Sequence, residues 1–166
     1  VAKAEQGVGP IRLHYRDGAD FVREAIRDGT KYDVVVLDLP EEQEDHDSSH
    51  SGLHERDFLV RCRELLAPGG VVSTHISRPH LSLPTPGSVD SVRRPWRRFR
   101  DVFGTTAYFR SDEQPWAAIM LGRVEPVADV RRTMLDALQA LPYTPRTIDA
   151  LTLRRVTENP ALARQP

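Results

Sequence analysis

Two aspartates stand where predicted β-strands end. Asp17, followed by Gly18, closes a segment in which apolar and polar residues alternate, and Asp38 closes a continuous apolar run. An aspartate in such a place can accept hydrogen bonds from an exocyclic amine, and a neighbouring glycine lets a flat ring approach the backbone. Because Asp-Gly pairs are also common turn formers, the pair is interpreted either as a turn or as a binding site.

Asp38 stands near the end of the run YDVVVLDL at residues 32–39. A charge after such a run is costly unless it is exposed in a cleft or paired. Ligands of open α/β sheets bind beyond the carboxyl ends of the strands. Asp38 is therefore interpreted either as a site carboxylate or as a helix-capping or salt-bridged residue.

Residues 41–57 concentrate seven acids, three histidines and one arginine. Three interpretations compete: a solvated surface loop, a flap whose carboxylates attract a cationic substrate, and a metal site of His46, His50 and His54. The histidines have the spacing of one helix face, but the serines and the glycine among them disfavour a helix. No metal is expected.

Residues 93–100 carry five arginines in eight positions. Val92, Trp96, Phe99 and Phe103 fall at helical spacing and predict a buried stripe, which places the arginines on the opposite, solvated face. An anion-binding or nucleic-acid patch is the alternative.

The elements that must position these residues alternate along the chain. Strands are predicted at 11–17, 32–39, 71–77, 104–110 and 116–122, and helices at 19–28, 55–66, 90–103, 127–140 and from 145 onwards. This alternation predicts an α/β fold with a mostly parallel sheet, and the closing pair of strands predicts an antiparallel edge. The continuous run at 32–39 is typical of a strand buried on both faces. His75 and His80 follow near a strand end, and such lone histidines are usually structural.

Composition and charge are those of an ordinary globular chain. The 166 residues are 39% hydrophobic and 28% charged, and the net charge of -1 favours neither nucleic-acid nor membrane binding. No apolar run approaches the ~20 residues that span a bilayer, and no basic-then-apolar leader is visible. The single cysteine, Cys62, excludes an internal disulfide, is interpreted as a core residue and fits a reducing, cytoplasmic compartment.

Several motifs together resemble the polyamine aminopropyltransferase (spermidine synthase) family. They are RDGADFV at 16–22, YDVVVLDLPEE at 32–42, LHERDFLVRCRELLAPGGV at 53–71, PWAAIMLG at 115–122 and YTPRTIDALTL at 143–153. The resemblance covers nearly the whole chain. It implies a Rossmann-like, class I methyltransferase-type fold and a single, partial catalytic domain over residues 1–166.

The resemblance also implies roles for individual residues. The family's Asp-Gly pair contacts the adenine of decarboxylated S-adenosylmethionine, which assigns Asp17 and Gly18 to cofactor binding. The aspartate that ends the family's strand orients or deprotonates the attacking amine. Asp38 matches this aspartate, so the resemblance implies that Asp38 is the catalytic residue. A second acid three residues later, here Glu41, would help to hold the polyamine, and residues 41–54 would correspond to the family's gate.

The chain also departs from the family. The family's glycine-rich first turn and the acid that grips the ribose would lie before Val1, so the sheet is expected to lack its first strands. The implied function is aminopropyl transfer to a polyamine by a cytoplasmic homo-oligomer, such as a dimer, or by the chain together with a complementing polypeptide. Two alternatives stay open. One is a methyltransferase of the same fold that uses S-adenosylmethionine, and the other is a non-catalytic partner subunit or fragment.

Overall fold

Strands and helices alternate in a computed structural model, which describes residues 10–39, 51–77, 90–110, 117–146 and 148–154. Within these ranges the elements are α1 (Gly18–Arg27), β1 (Tyr32–Leu37), a 3-10 helix (Ser51–His54), α2 (Arg56–Glu64), β2 (Leu66–Ser77), α3 (Asp90–Val102), β3 (Thr105–Arg110), β4 (Ala117–Arg123), α4 (Val130–Gln139) and α5 (Ala150–Leu153). The elements predicted from residue 19 onwards are confirmed, with shifted boundaries. None of the described helices has the length and apolar character needed to cross a membrane.

The described strands form one sheet in the order β1-β2-β4-β3. β1 pairs parallel with β2, whereas β4 pairs antiparallel with both β2 and β3. β1, β2 and β3 therefore run in one direction, and β4 runs against them. This arrangement confirms the predicted α/β fold with a mostly parallel sheet and an antiparallel edge.

One face of the sheet is buried under α1, α2 and α3. Val72 and Ile76 of β2 point to this face and lie in its core. Cys62 of α2 has no exposed surface, and burial raises the pKa of its thiol to about 12. Phe99 and Phe103 pack into the same core. The predictions of a core cysteine and, for Trp96, Phe99 and Phe103, of an apolar stripe are therefore confirmed, whereas the side chain of Val92 lies outside the described part of the chain.

The opposite face of the sheet is covered where α4 and α5 pack against β3 and β4. Val36 of β1 lies on this face, because it is aligned with Ser73 and through it with Leu121. Val34 and Val36 are nevertheless 58% and 67% exposed. The prediction that this strand is buried on both faces is wrong for the described residues, since no described helix covers this face of β1.

Alanine substitutions should report this difference between the two faces. We expect Val72→Ala to lower the free energy of unfolding by about 2 kcal/mol, through lost burial and a cavity. Val36→Ala should lower it by less than about 1 kcal/mol, because the side chain is already largely in water. Denaturant unfolding followed by circular dichroism measures both values. Equal losses would mean that Val36 is covered in solution, by residues of this chain outside the described ranges or by another chain.

Residues 11–17 do not form the predicted strand. Ile11, Leu13 and Tyr15 alternate with polar residues, but they are 47%, 74% and 94% exposed. The segment pairs with none of the described strands. A strand needs a neighbour for its backbone hydrogen bonds, so the alternating pattern alone does not produce one. This outcome agrees with the expectation that neighbouring strands are missing from the sheet.

The start of β2 also differs from the prediction. β2 begins at Leu66 rather than at residue 71, because residues 68–70 form an irregularity in the pairing with β1 and do not end the strand. Gly69 has a φ of 80°, a left-handed conformation that favours glycine. Its N–H donates to Glu125 Oε1 at 3.1 Å. This hydrogen bond, with a further one from Arg123, lowers the pKa of the Glu125 carboxyl.

Candidate functional site

The candidate site lies at the carboxyl edge of the sheet, defined here by the ends of β1, β2 and β3 at Leu37, Ser77 and Arg110. Ser77 is aligned with Ala117, so β4 begins at the same edge. α1 packs along the sheet and leads through a short turn into the start of β1, which places its own start at the carboxyl edge. The topology thus brings the residues before α1 and after β1 to the edge where ligands of open α/β sheets bind.

Asp17 is the N-cap of α1. Its Oδ1 accepts a hydrogen bond from the backbone N–H of Asp20 at 3.0 Å, which satisfies one of the free donors at the helix start. The residue is exposed, and its other carboxylate oxygen accepts no hydrogen bond from a described residue. The turn interpretation is therefore refined to a helix cap, which leaves one oxygen available to a ligand.

Gly18 begins α1 with ordinary backbone geometry, since its φ is not positive. A Cβ atom at this position would meet no heavy atom within 4 Å. Neither the backbone nor the packing of the described residues therefore requires glycine here. The open space beside the backbone is what the approach of a flat ring would need.

Side chains hold the segment before Asp17 against α1. Arg16 forms an ion pair with Glu24, and its guanidinium carbon lies 4.9 Å from the centre of the Phe21 ring. The ring of His14 also packs against Phe21, with 5.3 Å between ring centres. These contacts orient the backbone that enters Asp17, although no strand pairing does so among the described residues.

Asp38 follows β1 directly and is exposed. The strand end beneath it is fixed, because Leu37 is buried and its carbonyl oxygen accepts a hydrogen bond from Thr74 Oγ1 at 3.1 Å. Leu39, the next residue, packs partly against the core. Asp38 makes no hydrogen bond or ion pair with a described residue. The capping and salt-bridge interpretation therefore finds no partner in the described part of the chain.

Thr74 supports the site, although the sequence interpretation did not single it out. Its hydroxyl is buried between β2 and β1 and bonds the last residue of β1. A buried hydroxyl needs a hydrogen-bond acceptor. The threonine within the predicted strand VVSTHIS could therefore have indicated a hydrogen bond to a neighbouring strand. The neighbouring His75 is half-buried on β2, aligned with Ile119 of β4.

Several predicted site residues lie outside the described residues. Glu41, His46 and His50 fall at 40–50, and His80 falls at 78–89. The polyamine contact of Glu41 and the acidic flap therefore stay predictions, and the alternative of a histidine metal site is not tested. Among the residues that the structure describes, no group of three or more His, Cys, Asp or Glu could hold a metal ion.

Two curated proteins similar to this chain bear the name polyamine aminopropyltransferase. The protein of Nitrosomonas europaea is 29% identical over 134 residues, which cover 76% of this chain and 36% of the relative. The protein of Pyrobaculum calidifontis is 37% identical over 59 residues, which cover 36% of this chain and 20% of the relative. The chain thus spans about a third or less of the length of these relatives. No family model matches the chain.

Solved structures show the same fold. A spermidine synthase in complex with the transition state analogue AdoDATO has a TM-score of 0.56 and 15% identity, covering 83% of this chain and 42% of its own. The spermidine synthase of Thermotoga maritima has a TM-score of 0.57 and 15% identity, covering 84% and 43%. Human methyltransferase-like protein 13 in complex with SAH has a TM-score of 0.56 and 22% identity, covering 83% and 62%. The chain is thus similar to proteins named polyamine aminopropyltransferase and has the C-terminal part of the methyltransferase-like fold of the solved spermidine synthases.

Proposed function

We propose that this chain takes part in aminopropyl transfer from decarboxylated S-adenosylmethionine to a polyamine. The observation that carries the proposal is that two exposed carboxylates, Asp17 and Asp38, stand at the carboxyl edge of an α/β sheet. The names of the two curated relatives support the same reaction. Because the chain spans only part of those relatives, the whole reaction belongs to the proposal.

The proposed reaction begins with attack by an amine nitrogen on the carbon next to the sulfonium of the co-substrate. A C–N bond forms while the C–S bond breaks, and the electron pair of the broken bond passes to sulfur. The sulfur leaves as the neutral thioether 5′-methylthioadenosine, and the new C–N product carries a surplus proton. Asp38 would orient the amine for attack and accept a proton from it, roles that a positioned carboxylate can combine.

Asp17 and Gly18 fit an adenosyl group. One carboxylate oxygen of Asp17 is available to the exocyclic amine of adenine, and the backbone at Gly18 has open space for the ring. A spermidine synthase of the same fold was solved with AdoDATO, and human methyltransferase-like protein 13 with SAH. These complexes support an adenosyl co-substrate for this chain, and no metal is part of the proposal.

The acceptor is proposed to be a polyamine because the sequence after Asp38 is acidic. Five carboxylates follow at Glu41, Glu42, Glu44, Asp45 and Asp47, and a cluster of carboxylates attracts a polycation. Glu41 stands where the resemblance implies the acid that holds the amine. A cytoplasmic location and a homodimer are further predictions from the same resemblance.

A methyltransferase is the second candidate. Such an enzyme would use the same edge and the same adenosyl contacts, but it would bind S-adenosylmethionine itself. The fold likeness to human methyltransferase-like protein 13 is as high as that to the spermidine synthases. Preference between the two co-substrates therefore separates the candidates better than the fold does.

A non-catalytic subunit that completes another polypeptide is the third candidate. The observation that favours it is the exposure of apolar side chains: Val34 and Val36 of β1, and Leu13 and Tyr15 of the segment before α1, are all more than half exposed. A chain that packs against these residues would remove them from water. Such a subunit would show no turnover alone and would co-purify with its partner.

Calorimetry with three ligands tests the proposed function. The chain is titrated in parallel with 5′-methylthioadenosine, decarboxylated S-adenosylmethionine and S-adenosylmethionine. Preference for the decarboxylated form supports aminopropyl transfer, and preference for S-adenosylmethionine supports the methyltransferase. If none of the three binds, the chain by itself lacks a complete nucleoside pocket, and the non-catalytic alternative replaces the enzyme.

A further inference from the structure

The exposed face of α3 carries a cleft lined by arginines, on the side of the sheet that α1, α2 and α3 cover. Its lining residues are Arg93, Arg94, Arg97, Arg98 and Asp101, and its volume is about 310 Å³. We call it the arginine cleft. None of these residues belongs to the site proposed above, so the cleft is a separate feature of the molecule.

The packing of α3 explains why the arginines converge. Phe99, Val102 and Phe103 are buried in the core, which fixes the rotation of the helix. Residues four apart lie about 6 Å apart along a helix and point the same way. Arg93 and Arg97 therefore form one row of the cleft, and Arg94 and Arg98 form a second row beside it.

One wall of the cleft is firmly held. Arg98 Nη2 donates to Glu55 Oε1 at 2.9 Å, and the Arg98 side chain is only 16% exposed. Arg93, Arg94 and Arg97, by contrast, make no ion pair with a described residue. The charge of Arg98 is thus neutralised and its side chain is held in place. The charges of the other three arginines are not compensated within the described part of the chain.

The charge balance of the cleft favours an anionic ligand. Among the described residues that line the cleft, four guanidinium groups face a single carboxylate, that of Asp101, and Glu55 neutralises one of the four. Like charges three or four positions apart on a helix repel each other. A ligand with several adjacent negative charges would relieve this repulsion, and guanidinium forks match the oxygens of phosphate groups.

The aromatic side chains nearby do not offer a platform for nucleic-acid bases. Phe99 is buried, and Trp96 is half-buried with the Arg100 guanidinium carbon 4.9 Å from its ring centre. Proteins that bind single strands rely on exposed aromatic rings for stacking. The volume of the cleft also falls within the range of small-molecule sites, about 300–1,000 Å³.

We propose that the arginine cleft binds a small polyphosphate group, such as the di- or triphosphate of a phosphorylated metabolite. The oxygens of neighbouring phosphates would accept hydrogen bonds from the guanidinium groups of Arg93, Arg94 and Arg97. Arg98, which Glu55 holds in place, would form the wall beside them. The proposal does not depend on the aminopropyltransferase proposal, since the two sites share no residue.

Calorimetry with inorganic triphosphate at low ionic strength tests this site. We expect saturable binding that added salt weakens, because exposed charges are screened. The double variant Arg93→Gln/Arg97→Gln should weaken it by at least about tenfold, through the loss of two charge-assisted contacts. Both side chains are exposed, so the fold should be kept, and circular dichroism checks this. Arg97→Lys should lose less affinity than Arg97→Gln, because it keeps the charge without the fork.

A matched control removes two exposed arginines from another helix. Arg131→Gln/Arg132→Gln on α4 changes the net charge of the protein by the same amount, so its triphosphate affinity should stay near that of the unchanged chain. Equal losses in both double variants would overturn the proposal in favour of non-specific attraction. Absence of saturable binding would also overturn it. Tighter binding of a DNA duplex that depends on the same arginines would replace it with a nucleic-acid site.

Discussion

Replacing Asp38 with asparagine should lower the proposed aminopropyl transfer by about 10²–10⁴-fold, the usual contribution of a positioned acid or base. Asparagine keeps the size of the side chain but cannot accept a proton from the amine. Asp38 makes no hydrogen bond or ion pair with a described residue, so the fold should not change. Nucleoside affinity should also stay the same. Release of 5′-methylthioadenosine measures turnover, and calorimetry measures affinity.

Asp33→Asn provides the matched control for this prediction. Asp33 is an exposed aspartate of the same strand, but it stands near the start of β1, away from the carboxyl edge. Its substitution should leave turnover unchanged. Equal losses in both variants would indicate damage to β1 rather than loss of a catalytic carboxylate. Full turnover by Asp38→Asn would remove Asp38 from the mechanism.

The sequence predicted the elements that pack against residues within this chain. α3 is an example, because the helical spacing of Phe99 and Phe103 matches the face that is buried in the structure. The run before Asp38 was also predicted correctly as a strand. In these cases the partner surfaces lie within the described residues, so a periodic pattern and the buried face coincide.

The predictions were wrong where a pattern needs a partner that the described residues do not supply. Residues 11–17 alternate like a strand, and Val34 and Val36 belong to a run typical of a fully covered strand, but all of these lack a covering element. A pattern records which face is apolar and does not reveal what lies against it. Both errors concern apolar side chains that stay exposed in the described part of the chain.

The candidate site was predicted in part. The rule that sites lie beyond the carboxyl ends of strands placed Asp38 correctly at that edge. The cap formed by Asp17 and the buried hydroxyl of Thr74 were not predicted, because both depend on distances to backbone atoms that spacing alone does not fix. For Asp17 the sequence allowed a turn or a binding residue, and the structure shows a helix cap that is compatible with binding.

Asp17→Ala should have two separate effects. Loss of the N-cap should lower the free energy of unfolding by about 1 kcal/mol. Loss of the carboxylate should also weaken nucleoside binding by about tenfold or more, the effect of one charge-assisted hydrogen bond. Asp129→Ala is the matched control, since Asp129 caps α4 with the same hydrogen-bond pattern: its Oδ1 accepts from the backbone N–H of Arg132, three residues on, at 2.8 Å. It should lose the same stability and no affinity.

Two further variants separate the cap from the ligand contact. Asp17→Asn keeps an oxygen for the cap, but its amide would present donors to the adenine amine, so stability should be retained while affinity falls. Gly18→Ala should fold as well as the unchanged chain, because the position has ordinary geometry and open space, and should weaken binding if a ring lies against that backbone. Unchanged nucleoside affinity in both variants would mean that Asp17 and Gly18 start the helix but do not bind the nucleoside.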